Sequence, residues 1–231
     1  SQRFIKMNSY ILLSNKKWHE DLYKKLKKYY PNQKWILINN KKDFNNQKLS
    51  NINPKKIFIP HWSDLISDDI RLNYSCIVFH MTDLPYGRGG SPLQNLIING
   101  HKQTKISAIS ITKGLDEGPI FLKKNLDLSG SAKEIFLRST NVIFEMIVDI
   151  MENPITPVPQ KGSPTIFKRR NPSQSDISKL DELNKVYDYI RMLDCEGYPN
   201  AFIKLNGIKY EFTNVKKNNE KLEANVTIKQ D

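Results

Sequence analysis

Apolar residues in the first half of the chain come in short unbroken runs separated by amphipathic stretches, the pattern of an open sheet flanked by helices. Residues 10–14, 35–38, 56–60 and 76–80 predict four strands. The last of these, CIVFH, is continuous enough for a strand buried on both faces. After the first strand, Trp18, Leu22, Leu26 and Tyr29 recur at helical spacing until Pro31 stops the pattern. Residues 91–99 predict a helix with Pro92 near its first turn and Gly100 past its end. An alternating strand over 105–111 and a longer helix over 131–153, closed by Pro154, complete this half.

The pattern then changes. Pro154, Pro157, Pro159, Pro164 and Pro172 predict an irregular connector. Beyond it, Ile177, Leu180, Leu183, Val186, Tyr187 and Ile190 predict a helix. Asn206-Gly207, between alternating runs at 201–205 and 208–212, predicts a hairpin, and 222–228 can add a strand. The expected class is α/β, a doubly wound and mostly parallel sheet over 1–152. A connector over 153–175 and a small helix-plus-hairpin region over 176–231 complete the expected organisation. An isolated apolar hairpin is marginal, so this one is expected to close against a second copy as a homodimer.

A hydrophobic share of 39% and an aromatic share of 10% over 231 residues are enough for a core and exclude wholesale disorder. No apolar run reaches the ~20 residues of a membrane span. The opening SQRFIKMNSYILL reads as a first strand rather than a signal peptide. Cys76 and Cys195 lie far apart without metal-ligand spacing, so no metal and no disulfide framework are expected, and a cytoplasmic setting fits. The net charge of +12 points to anionic partners. Nucleic acid, nucleotide sugars and polyglutamylated folates all qualify, and solvated lysine runs at 24–28 and 216–221 account for the charge equally well.

The stretch from His80 to Gly118 holds the candidate chemistry: HMTDLPYGRGGSPLQNLIING, a strand, then KGLDEGP. His80 stands where a buried strand meets a Pro/Gly-rich loop, and ligands of open α/β sheets bind beyond the carboxyl ends of strands. The glycines of Gly87-Arg88-Gly89-Gly90 permit close backbone approach to a ligand. Asp116 lies between Gly114 and Gly118 on a second loop, and two loops at one sheet edge would make His80 and Asp116 an acid–base pair. Alone, such residues are more often a hydrogen-bonded structural His and a turn-forming Asp.

The same stretch resembles the signature of the folate-dependent formyltransferase family: Asn-x-His-x-Ser-Leu-Leu-Pro-x-x-Arg-Gly, then an Asp in a Gly-hydrophobic-Asp-x-Gly loop. His80, Leu84, Pro85, Arg88, Gly89, Pro92, Asn99, Gly100, Thr104, Gly114, Asp116 and Gly118 fall on matching positions. The resemblance implies a Rossmann-like domain that binds 10-formyltetrahydrofolate beside catalytic His80 and Asp116. Leu84, Pro85, Arg88, Gly89, Gly114 and Gly118 are then expected at the folate.

One position departs from the family. The Asn two residues before the His is Val78 here. In the family's mechanism that amide and the His hold the oxyanion formed when an amine attacks the formyl carbon. Losing one such donor costs about 100- to 1000-fold in rate. Thr82, a glycine-loop N–H or His61 fills the gap, or the enzyme is slow, or binding survives without catalysis. Lys105 and Ser107 also replace the family's usual Gly and Thr.

The second half bears on the acceptor. FKRRNPSQSDI and VYDYIRMLDCEGYPNAFIKLNG resemble the segment after the catalytic domain in formyltransferases acting on nucleotide-linked amino sugars. That resemblance implies such a sugar as acceptor, with a product for a bacterial surface glycan such as O-antigen. Arg169, Arg170 and Arg191 are candidate grips for its diphosphate; equally, Arg169 and Arg170 pin the connector. Thr82 and Trp62 are further candidates on the substrate side, although a strand-end tryptophan also serves as core. Initiator-tRNA formyltransferases share the motif but carry a larger C-terminal barrel. With only 176–231 beyond the connector and no basic–aromatic alternation in the hairpin, nucleic acid is not the expected partner.

Overall fold

The computed structural model describes residues 6–231; residues 1–5, the start of the opening segment, lie outside the described residues. The apolar runs fold as expected where they are buried on both faces. In β1 (Ser9–Ser14) every position but the first is buried. Its side chains alternate, Tyr10 and Leu12 into one core, Ile11 and Leu13 into another. Strands β2 (Lys34–Ile38), β3 (Lys56–His61) and β4 (Cys76–His80) join it in parallel.

Each face of the sheet has its own helices. On one lie α1 (His19–Tyr29), α4 (Pro92–Ile98) and the 21-residue α5 (Ala132–Glu152). A capping box starts α5, with Glu134 N donating to Ser131 Oγ at 3.2 Å. On the other face sit two helices the periodicity did not reveal, α2 (Asn46–Ile52) and α3 (Asp68–Asn73). Each buries a single residue, Leu49 or Ile70, so neither carries an apolar stripe. Local caps at Asn45 and Ser67 mark their starts instead.

Two further strands complete the sheet in the order β2-β1-β3-β4-β6-β7. Strand β6 (Gln103–Ser110) runs antiparallel to β4, and β7 (Ile120–Asp127) antiparallel to β6. The expected loop geometry is corrected here. Because Ser107 lies opposite His80 and Ser110 opposite Ile77, the 111–119 loop leaves at the amino end of β4 and folds back along the sheet. Strand β7 escaped sequence reading because only Leu126 is fully buried and Lys123-Lys124 interrupts the alternation.

The connector is not wholly irregular. Its residues Ile166–Phe167 form β8, which pairs in parallel with β5 (Arg88–Gly89) inside the glycine loop. After it, α6 (Leu183–Arg191) packs beside a three-stranded antiparallel sheet of β9 (Ala201–Leu205), β10 (Ile208–Asn218) and β11 (Lys221–Gln230), with β10 central. Ile177, Ile190, Met192, Leu193, Cys195 and Ala201 share the core of α1 and α5. Among the described residues no helix is long and apolar enough to cross a membrane.

Candidate active site

His80 ends β4, almost fully buried, and both ring nitrogens face acceptors. Nε2 lies 2.8 Å from the Gly87 carbonyl, and Nδ1 lies 3.7 Å from Asp116 Oδ2. With Nε2–H donating to Gly87, the Nδ1 lone pair is left on the Asp116 side. The Gly89 amide donates to that same Asp116 oxygen at 2.9 Å. Strand and folded-back loop therefore converge on one imidazole–carboxylate pair, as the spacing predicted by a different route.

The glycine loop is held by the connector. Gly87 N donates to Thr165 Oγ1 at 2.9 Å, Arg88 N to Thr165 O at 2.9 Å, and Gly90 N to Phe167 O at 3.2 Å. Gly89 is required by this contact: a Cβ there, where φ is +103°, would stand 2.3 Å from Phe167 O. In the Asp116 loop, a Cβ on Gly118 would meet Ser110 O at 1.6 Å, so only glycine lets that loop fold back.

Arg88 also faces the connector. Its Nη2 donates to Gln160 Oε1 at 2.9 Å, and Gln160 Nε2 donates to Asp116 O at 2.8 Å and Gly118 O at 2.9 Å. Gln160 thus ties the two loops together, a residue that sequence reading missed. Nothing in a proline-rich segment without periodicity singles it out. Leu84 is buried, with its amide on Ser107 Oγ at 3.3 Å, and Ser107 Oγ donates to Thr82 O at 2.7 Å. Pro85 accepts the Thr165 amide at 3.2 Å, and Gly114 packs against Glu117.

Two residues expected at the substrate are engaged elsewhere. Thr82 is fully buried and donates to Gly87 O at 3.1 Å. Arg191 is buried at the end of α6, donating to Leu128 O at 2.6 Å and Gly130 O at 2.9 Å and pairing with Asp188. Arg170 follows the pinning alternative: its amide donates to Ser91 Oγ at 3.0 Å, its Nη2 to Gln174 O at 2.8 Å, and its guanidinium lies over Tyr189. Trp62 is half-buried against Phe44, leaving part of its ring open. Arg169 is exposed, with its Cβ against Gly90.

The missing Asn finds little compensation nearby. Val78 is half-buried on β4. The four glycine-loop amides are all bonded, as is the Thr82 hydroxyl. His61, at the end of the neighbouring β3, has Nδ1 3.1 Å from Asn15 Oδ1. Burial first, then Lys16 and Arg169, push its pKa down to about 4, so it is neutral near pH 7.

A family model described as methionyl-tRNA formyltransferase, C-terminal domain, matches residues 172–229. A methionyl-tRNA formyltransferase from Thermodesulfovibrio yellowstonii is 27% identical over 153 residues, 63% of this chain and 50% of that protein. The chain thus spans about half the length of the curated relatives it matches. The solved structure named methionyl-tRNA formyltransferase from Clostridium thermocellum superposes with a TM-score of 0.95 at 46% identity, over 97% of this chain and 100% of that one. A likely sugar N-formyltransferase from Mycobacterium tuberculosis shares the fold, with a TM-score of 0.73 at 16% identity over 93% of this chain and 100% of that one. With the His80–Asp116 pair, the glycine loop and near end-to-end likeness at 46% identity in agreement, the chain belongs to the folate-dependent formyltransferase family.

Proposed function

We propose that this protein transfers the formyl group of 10-formyltetrahydrofolate to an amine, with the His80–Asp116 pair at the reacting atoms. The observation that carries this reading is the Asp116 carboxylate, fixed by the Gly89 amide and facing His80 Nδ1. The amine nitrogen bonds to the formyl carbon, and His80 Nδ1 accepts the proton the nitrogen sheds. The adjacent Asp116 carboxylate favours the imidazolium so formed. Collapse breaks the bond from the formyl carbon to folate N10, which receives the proton, leaving an N-formyl amine and tetrahydrofolate.

The acceptor we assign is a nucleotide-linked amino sugar. Its support is the connector, which carries Arg169 against Gly90 beside the reacting pair as a guanidinium available to a diphosphate. The second reading is methionyl-tRNA, favoured by the name of the 46% identical structure. Incubation with 10-formyltetrahydrofolate and either a panel of nucleotide-linked amino sugars or methionyl-tRNA, read by mass spectrometry for one added formyl group, decides between them. A formylated tRNA with every sugar unchanged would sink the sugar reading.

A second copy is the partner assigned to the C-terminal sheet. Strand β11 is an open edge with Val226 and Ile228 exposed, and antiparallel self-pairing about Val226 sets Glu223 opposite Lys229 and Lys221 opposite Asp231. Sedimentation at micromolar concentration should give a dimer and the Val226→Lys variant a monomer. A monomeric parent protein overturns the assignment.

A further inference from the structure

The carboxyl ends of β1 and β3 bring together basic groups that the proposed chemistry does not use. Ser14 is paired with His61 in the sheet, and Lys16 follows two residues later with its amide on Ser14 Oγ at 3.1 Å. Lys16 is half-buried, its ammonium 4.8 Å from the Tyr198 ring and 5.4 Å from the Trp18 ring. From the other side, the β5–β8 pairing delivers Arg169 against Gly90. Both cations are close enough to His61 to oppose its protonation. Among the described residues neither Lys16 nor Arg169 has a carboxylate partner, although fifteen lysine or arginine ion pairs form elsewhere.

A freely solvated lysine face does not look like this. Lys16 is half-buried against the Trp18 and Tyr198 rings, and the strand pairing just before Arg169 fixes the point from which its exposed side chain leaves the loop. Such uncompensated charge about His61, which ends the strand next to the one His80 ends, marks a place where an anion completes the electrostatics.

We propose that Lys16 and Arg169, on either side of His61, form a phosphate-binding rim on the acceptor side of the site, suited to the diphosphate of a small phosphorylated acceptor. The proposal deepens the amino-sugar reading and rests on it. Lys16 supplies a point charge and Arg169 a planar fork, on either side of the neutral His61. The phosphate group would lie beside, not upon, the His80–Asp116 pair, and so would set where the acceptor amine lies.

The test uses inorganic pyrophosphate as probe, followed by calorimetry and by Trp18 fluorescence, with tetrahydrofolate titrated separately. The parent protein should bind pyrophosphate. Lys16→Gln and Arg169→Ala should each weaken it at least about tenfold, the scale of one lost charge-assisted contact, with tetrahydrofolate affinity unchanged. Circular dichroism of both variants, and Arg169→Lys as the conservative control, separate lost contact from lost fold. No pyrophosphate binding by the parent, or unchanged binding by both variants, overturns the rim while leaving formyl transfer standing. If the variants weaken methionyl-tRNA binding but not pyrophosphate binding, the rim belongs to nucleic acid and the proposal fails. Loss of tetrahydrofolate binding by the parent would instead strike the formyl-transfer reading itself.

Discussion

Asp116 Oδ2 takes the amide of Gly89 at 2.9 Å and faces His80 Nδ1 at 3.7 Å with that same oxygen. The carboxylate is thereby oriented by the backbone of the loop that also accepts the other side of the imidazole. Asp116→Asn keeps the shape but removes the charge that favours the imidazolium. It should lower kcat by about 10²–10⁴, as should His80→Ala, with tetrahydrofolate binding retained. Equal turnover in parent and Asp116→Asn would exclude the assigned role.

Gln160 touches neither reacting group but spans Arg88 and the carbonyls of Asp116 and Gly118. Gln160→Ala should loosen the spacing between the two loops, so steady-state kinetics should show a fall in kcat larger than any rise in KM. A change confined to KM would make Gln160 a binding residue instead.

Gly89→Ala places a methyl group 2.3 Å from the Phe167 carbonyl in a left-handed backbone. Relief requires breaking the β5–β8 pairing, so the melting temperature should drop by the equivalent of about 2 kcal/mol or more, and activity should fall with it.

Arg191→Met should be among the more damaging changes far from the site. It leaves Leu128 O and Gly130 O without their donor and Asp188 without its partner, a loss of about 3 kcal/mol by chemical denaturation.

His19 is buried, bonded to Ser14 Oγ, and burial first, then His61 and Lys16, lower its pKa to about 3. The unfolded chain takes up this proton near pH 6.5 while the folded chain does not. Its contribution is therefore fully present above pH 6.5 and is lost as pH falls, by roughly 1.4 kcal/mol per unit below that point. Thermal melts from pH 7 to pH 5 should show this slope added to that of His61, whose pKa is lowered to about 4, and His19→Asn should remove only its own share.

The strands from β1 to β4 were legible because burial on both faces leaves an unbroken apolar signature. His80 and Asp116 were legible because residue types and spacing matched a known signature together. Arg191 was misread because an arginine at the end of an amphipathic helix looks the same in sequence whether it grips a ligand or two carbonyls. Gln160, Thr165 and Phe167 left no trace, since they lie in a connector without periodicity and most of what they bind is backbone, which no residue type marks. The return of the Asp116 loop was hidden by the antiparallel course of β6, which alternation alone does not reveal.

The crossbar formed by Thr165 and Phe167 has a consequence for the order in which the protein becomes competent. A ribosome that has released only residues 1–152 has already delivered the six-stranded sheet and both reacting side chains. It has not delivered the segment that holds the glycine loop at its working distance from them. Competence therefore arrives when the connector docks, and not with the sheet that bears the chemistry.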